Sequence, residues 1–128
     1  MNLLLDTCAF LWMCSQPDLL SSAAADAVED ENSVLHLSHA SVWEMALKYR
    51  TGKLPLPDPP RIWIPDEARF HNIELVLIDA DAIFTSCEFT ANHRDPFDRL
   101  IAAHAKINGL TVVSPDPAFA KLGVDVLW

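Results

Sequence analysis

Short apolar runs alternate along the chain with longer segments in which apolar residues recur at helical spacing. The apolar runs predict β-strands over residues 3–5, 34–37, 74–78, 111–113 and 124–127. Such short, nearly continuous apolar runs are typical of strands that are buried on both faces of a parallel sheet. A serine or an aspartate follows most of them and marks the end of the strand.

Helices are predicted between the strands. They cover residues 9–14, about 22–30, about 42–51, about 61–71, 80–89 and 97–108, with one short helix before the last strand. Ser41 and Glu44 have the spacing of a capping box, which predicts that the third helix begins at Ser41. Pro96 suits the first turn of the long helix, and Gly109 suits its C-terminal end.

Strands that alternate with helices predict an α/β fold with a mainly parallel central sheet flanked by helices on both faces. The chain has 128 residues and no internal repeat or long linker, so a single domain over residues 1–128 is expected. No apolar run approaches the ~18 residues that a membrane span needs. The cysteines Cys8, Cys14 and Cys87 lack paired spacing and indicate reduced thiols in a cytoplasmic protein.

The net charge of −9 argues against a protein that binds nucleic acid by bulk attraction, because such proteins are usually basic. Three explanations of the charge are open. Some of the acids bind cations that cancel their charge, or the acidic surface binds a basic protein partner. The third explanation is that the charge only keeps the protein in solution.

Several carboxylates are predicted to meet at one edge of the sheet. Asp6 directly follows the first strand, Asp116 lies shortly after the fourth, and Glu44 lies early in the helix after the second. Asp95 and Asp98 lie at the start of the long helix, where backbone N–H groups favour carboxylates. Because the carboxyl ends of parallel strands share one edge, these groups would repel one another unless a hard cation such as Mg²⁺ or Mn²⁺ joined them.

Each acid also has a purely structural interpretation. An aspartate after a strand or at a helix start often caps the next element, and Glu44 would complete the capping box. No zinc site is predicted, because the histidines show no HExxH or HxH spacing, and Cys8 and Cys14 are interpreted as small buried apolar side chains. A receiver-like domain or a haloacid-type phosphatase would need additional acids beside Asp6 that the sequence lacks.

Several segments resemble the PIN-domain family, and more narrowly its VapC-type toxins of bacterial toxin–antitoxin pairs. They are the segments LLDT at 4–7, SVWE at 41–44, GKLPL at 52–56, HRDPFDRLIA at 93–102 and VLW at 126–128. The match runs in order from residue 3 to residue 128, and the segment at 93–102 is its most specific part. Cys8 differs from the pattern, since many relatives carry a histidine at that place.

The resemblance implies a single PIN-like domain and a metal-dependent endoribonuclease activity. In that family an acidic quartet binds one or two Mg²⁺ or Mn²⁺ ions and cleaves RNA. The quartet corresponds here to Asp6, Glu44, Asp98 and Asp116. Thr7 is expected to hydrogen-bond a ligand carboxylate, and Asp95 is expected to lie beside the site. The cations proposed to contact RNA phosphates are Lys48, Arg50, Lys53, Arg94 and Arg99.

The resemblance also implies three partners: an RNA substrate, a cognate antitoxin, and a second copy of the chain in a homodimer. The antitoxin would insert a segment, often with an arginine, into the acidic cleft. A basic inhibitory segment is electrostatically suited to a protein with a net charge of −9. The alternative function is a catalytically silent protein-binding module of the same fold, against which the intact set of acids argues.

Overall fold

The central sheet has five strands, all parallel, in the spatial order β3-β2-β1-β4-β5. The computed structural model describes all residues 1–128. The strands are β1 (Asn2–Leu5), β2 (Val34–Ser38), β3 (Ile73–Val76), β4 (Thr111–Val113) and β5 (Val126–Leu127). The predicted α/β fold with a parallel sheet is therefore confirmed, and the first strand along the chain is the central one.

Seven α-helices connect and cover the strands. They are α1 (Thr7–Ser15), α2 (Ser22–Glu29), α3 (His39–Arg50), α4 (Pro60–Phe70), α5 (Ala80–Glu88), α6 (Pro96–Asn108) and α7 (Ala118–Lys121). A single 3₁₀ turn, Pro17–Leu19, separates α1 from α2. Gly109 ends α6 in the left-handed conformation, at φ 64°, which a residue without a side chain adopts without strain. No helix is both long and apolar enough to cross a membrane.

Successive residues of β1 face opposite sides of the sheet and enter two separate hydrophobic clusters. Leu3 and Leu5 belong to a cluster formed mainly with side chains of α1, α3 and α4. Leu4 belongs to a second cluster, formed mainly with α6 and α7. All three leucines are fully buried, and each such side chain contributes roughly 1.5–3 kcal/mol to folding. The helices thus lie on both faces of the sheet, as predicted.

The start of α3 differs from the sequence prediction. The helix begins at His39, and its N-cap is Ser38, whose Oγ accepts a hydrogen bond from the backbone N–H of Ala40 at 2.9 Å. The predicted capping box at Ser41 and Glu44 is therefore wrong, because Ser41 is the third residue of the helix and not its N-cap. This position frees the Glu44 side chain from capping and directs it toward other elements.

The two edge strands, β3 and β5, differ from the predicted ranges of 74–78 and 124–127. β3 ends at Val76, because its only neighbour is β2 and the last pair in that ladder joins Ser38 to Val76. Beyond it Leu77 is 69% exposed, so this apolar residue does not extend the buried strand. β5 is likewise limited to Val126–Leu127, which pair only with β4.

Candidate metal centre

Asp6 lies at the carboxyl end of the central strand. It is the N-cap of α1, where its Oδ1 accepts from the backbone N–H of Ala9 at 2.7 Å. The register of β1 and β4 pairs Leu5 with Val113, which places Ser114 beside Asp6. The hydroxyl of Ser114 donates to Oδ2 of Asp6 at 2.6 Å. The first turn of α1 thus fixes one oxygen of this carboxylate, and the residue after β4 fixes the other.

Glu44 projects from α3 toward the start of α1 and is buried. The hydroxyl of Thr7 donates to its Oε1 at 2.6 Å, and the ammonium of Lys48 donates to its Oε2 at 2.7 Å. The contact between Glu44 and Lys48 is an i,i+4 ion pair on one face of α3. Thr7 thus hydrogen-bonds one of the four carboxylates that the sequence predicted as metal ligands.

Asp98 lies in the first turn of α6. Its Oδ2 lies 3.0 Å from Nε2 of His93, in the segment that precedes the helix. Asp95 is the N-cap of α6 and accepts from the backbone N–H of Phe97 at 2.9 Å. The structural interpretation of Asp95 as a helix cap is therefore confirmed, although its side chain also lines the cleft described below.

Asp116 follows β4 and precedes α7. Its Oδ1 accepts from the backbone N–H of Ala118 at 2.9 Å, and its own N–H donates to Oγ of Ser114 at 3.0 Å. Ser114 therefore contacts Asp6 through its hydrogen and Asp116 through its oxygen. These two bonds fix the loop after β4 relative to the end of β1.

One open cleft of about 420 Å³ joins these groups. Its eleven lining residues are Asp6, Thr7, Cys8, Leu11, Trp12, Glu44, Lys48, Asp95, Asp98, Pro115 and Asp116. All four acids predicted as the quartet lie there, with Asp95, Thr7 and one cation, Lys48. The carboxylates come from four separate stretches of the chain and converge at the carboxyl ends of the strands, where open parallel sheets place their functional crevice.

Burial and mutual repulsion disfavour the ionised form of two of these acids. Burial is the main reason that the pKa of Asp6 is raised to about 6, with the charges of Asp98 and Asp116 adding to the effect. The hydrogen bonds from Ser114 and Ala9 oppose the rise. Burial likewise raises the pKa of Asp98 to about 6, where the His93 contact opposes the charges of Asp95 and Glu44.

The donor set of the cleft fits a hard divalent cation. Every potential anionic ligand there is a carboxylate oxygen, which Mg²⁺ and Mn²⁺ prefer, while Cys8 is a neutral thiol whose pKa burial raises to about 11. A cation among the carboxylates would favour their ionised form, which burial and then mutual repulsion disfavour at Asp6 and Asp98.

The cations proposed to contact RNA occupy three kinds of position. Lys48 lines the cleft, whereas Arg50, Lys53 and Arg94 are exposed residues outside its lining. The guanidinium of Arg99 donates to the backbone carbonyls of four residues, namely Ser86, Phe89, Ala91 and His93. Arg99 therefore holds the α5–α6 connection together, and its predicted contact with RNA stays a prediction that its position outside the cleft lining does not support.

Two contributors to the site, Ser114 and His93, did not emerge from the sequence patterns. Ser114 directly follows β4, as Asp6 follows β1, so the shared strand register was the signal that could have linked them. His93 precedes Asp98 by five residues in the most distinctive segment of the chain. Its contact depends on the turn before α6, which no periodicity reveals.

The fold and the site together define a class of protein. The sequence model of the PIN domain matches residues 3–125, and the chain belongs to this family. It is similar to Ribonuclease VapC16 of Mycobacterium tuberculosis, with 48% identity over 54 residues that cover 36% of this chain and 38% of that protein. The match thus spans less than half the length of that curated relative.

Two solved structures have the same fold. The first is VapBC2 from Rickettsia felis, in a crystal structure of VapBC2 bound to a DNA fragment from its promoter. It matches with a TM-score of 0.73 and 16% identity. The match covers 98% of this chain and 97% of that chain. VapBC-1 from nontypeable Haemophilus influenzae matches with a TM-score of 0.67 and 14% identity over 98% of this chain and 96% of that chain. At these identities the likeness concerns the fold alone.

Proposed function

We propose that this protein is a Mg²⁺- or Mn²⁺-dependent endoribonuclease that hydrolyses phosphodiester bonds in RNA as the toxin of a toxin–antitoxin pair. The observation that carries the proposal is the convergence of Asp6, Glu44, Asp98 and Asp116 on one cleft, where the pKa of Asp6 and of Asp98 is raised. Membership of the PIN-domain family and the partial match to Ribonuclease VapC16 support the ribonuclease assignment.

Asp6 and Asp98 are the proposed main ligands of the cation, because they are the most strongly disfavoured as free carboxylates. A bound Mg²⁺ or Mn²⁺ would supply Lewis acidity that polarises the scissile phosphate and activates water for attack. Glu44 would hold a second ion or orient the attacking water, and Asp116 would contact the cation through water. Ser114 and Thr7 are positioning residues that orient Asp6 and Glu44.

Lys48 is the proposed phosphate contact within the cleft. In the structure it neutralises Glu44, and a cation that took over this role would release the ammonium toward an RNA phosphate. Arg50, Lys53 and Arg94 would contact phosphates farther along the strand. Local positive charge at these positions would offset the net charge of −9 where the substrate binds.

The toxin assignment rests on the resemblance to VapC-type sequences and on the shared fold with VapBC2 and VapBC-1. It implies a cognate antitoxin with a basic segment that enters the acidic cleft, a homodimer, and action on RNA in the cytoplasm. Co-expression with the small open reading frame beside its gene should relieve growth arrest. Arrest that persists with that neighbour present would contradict the antitoxin assignment.

A catalytically silent protein-binding module of the same fold is the competing function. Isothermal titration with Mn²⁺ separates the two, because a silent module does not need a cation in the cleft. The proposal predicts Mn²⁺ binding to the native chain and weakened binding to Asp6→Ala. Absence of any Mn²⁺ binding at pH 7.5 would favour the silent module.

Sequencing of RNA ends after brief induction tests activity and substrate together. We expect new ends at defined sites in cells that express the native chain and none in cells that express Asp6→Ala. Asp26→Ala is the matched control, since Asp26 is an exposed acid on α2 and lies outside the cleft. New ends that appear equally with Asp6→Ala would contradict the assignment.

A further inference from the structure

A second cluster of potential metal ligands lies outside the acidic cleft, where the end of α1 packs near the end of α4. The Sγ of Cys14, a carboxylate oxygen of Glu67 and a ring nitrogen of His71 all lie within 4.8 Å of one another. Glu67 and His71 are one helical turn apart, with Nε2 of His71 3.3 Å from Oε2 of Glu67. Three different donor atoms from two helices therefore converge on one point.

This cluster is separate from the acidic cleft. Asp6 caps the N-terminus of α1, whereas Cys14 lies in its last turn, roughly 12 Å farther along the axis at about 1.5 Å per residue. None of the three residues lines the cleft. A cation held here would accordingly not be a cation of the nuclease site.

The donor chemistry selects a different kind of ion from the one proposed for the cleft. A thiolate, an imidazole and a carboxylate are the ligands that Zn²⁺ binds, and three protein ligands with a water complete its tetrahedral shell. Mg²⁺ prefers oxygen ligands in an octahedral shell, which this set does not provide. The cluster also differs from a group of surface carboxylates, because Glu67 is its only acidic side chain.

The surroundings of Cys14 argue against a reactive or redox role for its thiol. Such a role needs a lowered pKa. Burial, with help from the charge and hydrogen bonding of Glu67, raises the pKa of Cys14 to about 12. The thiol therefore keeps its proton when no cation is bound. A cation would displace that proton, which would pass to the solvent.

We propose that Cys14, Glu67 and His71 form a Zn²⁺ site that fastens α4 to the end of α1. The side chains of Glu67 and His71 are about three-quarters buried. A water molecule could therefore reach the cation as its fourth ligand, while most of the site is shielded from solvent. A cation that binds only the folded chain stabilises it by mass action. The cation would join the two helices, and the proposal is independent of the nuclease proposal.

Cobalt substitution tests the site directly, because a Co²⁺–thiolate bond gives a charge-transfer absorption band that oxygen ligands do not give. The purified full chain is titrated with Co²⁺ in excess Mg²⁺, which occupies the acidic cleft. We expect a band that saturates at a single Co²⁺ per chain and that is lost in Cys14→Ser. Cys8→Ser and Cys87→Ser are matched controls and should keep the band. A native chain without the band, or a band that survives Cys14→Ser, would overturn the proposal.

Thermal denaturation provides a second measurement that does not depend on one variant. Zn²⁺ should raise the Tm of the native chain by several degrees, and excess chelator should reverse the rise. His71→Gln, which leaves Cys14 intact, should weaken Co²⁺ binding at least tenfold. Co²⁺ affinity and Zn²⁺-dependent stabilisation that are unchanged in His71→Gln would show that the three side chains are only a packed polar contact.

Discussion

Asp6 ends a buried strand and has only 6% of its surface exposed, yet it is the first acid of a cleft that contains several others. Burial and the neighbouring charges raise its pKa, while Ser114 and the N–H of Ala9 lower it. The outcome is a carboxyl group with a pKa of about 6. Such a group ionises readily when a cation binds, so protons and cations compete for it near neutral pH.

Ser114→Ala should weaken metal binding in a pH-dependent way. Loss of the hydroxyl removes a bond that favours ionised Asp6, so its pKa rises further and protons compete more strongly with the cation. We expect Mn²⁺ affinity to fall several-fold at pH 6 and less at pH 8, as measured by isothermal titration. Ser33→Ala is the control, because the Ser33 hydroxyl is buried without a partner. An equal loss of affinity at both pH values would contradict this account.

Asp98→Asn should stabilise the cation-free protein at neutral pH. The pKa of Asp98 is about 6 in the folded chain against 3.8 in its unperturbed state. The folded state therefore binds the proton more tightly, and this stabilisation is complete below pH 4 and is lost as the pH rises through 6. A neutral amide avoids the loss.

For Asp98→Asn in chelator at pH 7.5, we expect a gain on the order of 1–2 kcal/mol in the free energy of unfolding and a Tm higher by a few degrees. The difference should vanish near pH 4. Asp26→Asn, a change at an exposed acid, serves as the control and should show neither effect. A destabilised Asp98→Asn at pH 7.5 would mean that the carboxylate contributes to folding without a cation.

At the scale of elements, the connection between α5 and α6 helps to determine where the cleft residues Asp95 and Asp98 lie, because Asp95 belongs to it and its His93 contacts Asp98. This connection carries His93 and Asp95, and it has few regular backbone hydrogen bonds of its own. The Arg99 side chain from α6 supplies further hydrogen bonds by donating to one carbonyl in the last turn of α5 and to three carbonyls within the connection. A residue outside the cleft thus holds part of the cleft in place.

Arg99→Lys should lower stability and metal affinity together. An ammonium cannot reproduce the planar fork of the guanidinium, so several partly buried carbonyls would lose their donors, at a cost of about 2–4 kcal/mol. Urea unfolding measures the first effect and Mn²⁺ titration the second. Arg69→Lys is the control, because Arg69 is exposed and forms only a surface ion pair. Stability within about 0.5 kcal/mol of the native chain would contradict the structural role of Arg99.

Most elements could be predicted from the sequence because their signals are local. Short continuous apolar runs predicted the strands, and Pro96 and Gly109 predicted the two ends of the long helix. The errors occur where tertiary pairing decides the boundary, as at the end of β3 and the start of α3. In both places the pairing of β2 with β3, which ends at Ser38 and Val76, determines the boundary, and the local sequence pattern does not.

The acids of the cleft could be predicted because strand ends in a parallel sheet share one edge. The partners of those acids could not, since the Ser114–Asp6 contact spans 108 residues and Arg99 was judged by its charge alone. The same limit explains why the cluster of Cys14, Glu67 and His71 was not predicted. Cys14 lies on α1 and its two companions on α4, so no short spacing joins them.

For the whole molecule, the net charge of −9 determines how strongly the proposed RNA substrate would be attracted or repelled. The cleft itself contributes much of the negative potential, and Lys48 is the one basic residue that lines it. A net negative surface does not attract RNA at long range. The proposed RNA substrate would therefore bind through cations in the cleft and through a few direct phosphate contacts.

The salt dependence of RNA binding should accordingly be shallow. Lys48, Arg50, Lys53 and Arg94 are the proposed contacts, and each releases about 0.7 counterion from single-stranded RNA, so the slope of log K against log salt should be no steeper than about −3. Fluorescence anisotropy with inactive Asp98→Asn at fixed Mg²⁺ measures it. Lys48→Gln in the same background should reduce the slope by about 0.7. A much steeper slope would reveal a basic surface that this account lacks.

Cleavage of RNA by purified protein tests the central claim, namely that the acidic cleft cleaves RNA with the help of a divalent cation. The measurement is the initial rate at pH 7.5 in Mn²⁺ for the native chain and for Asp98→Asn, with circular dichroism to establish that both are folded. We predict that Asp98→Asn lowers the rate at least 100-fold, or about 2.7 kcal/mol in the barrier, and that chelator abolishes cleavage by the native chain. Undiminished cleavage by folded Asp98→Asn, or cleavage that persists in chelator, would contradict the claim.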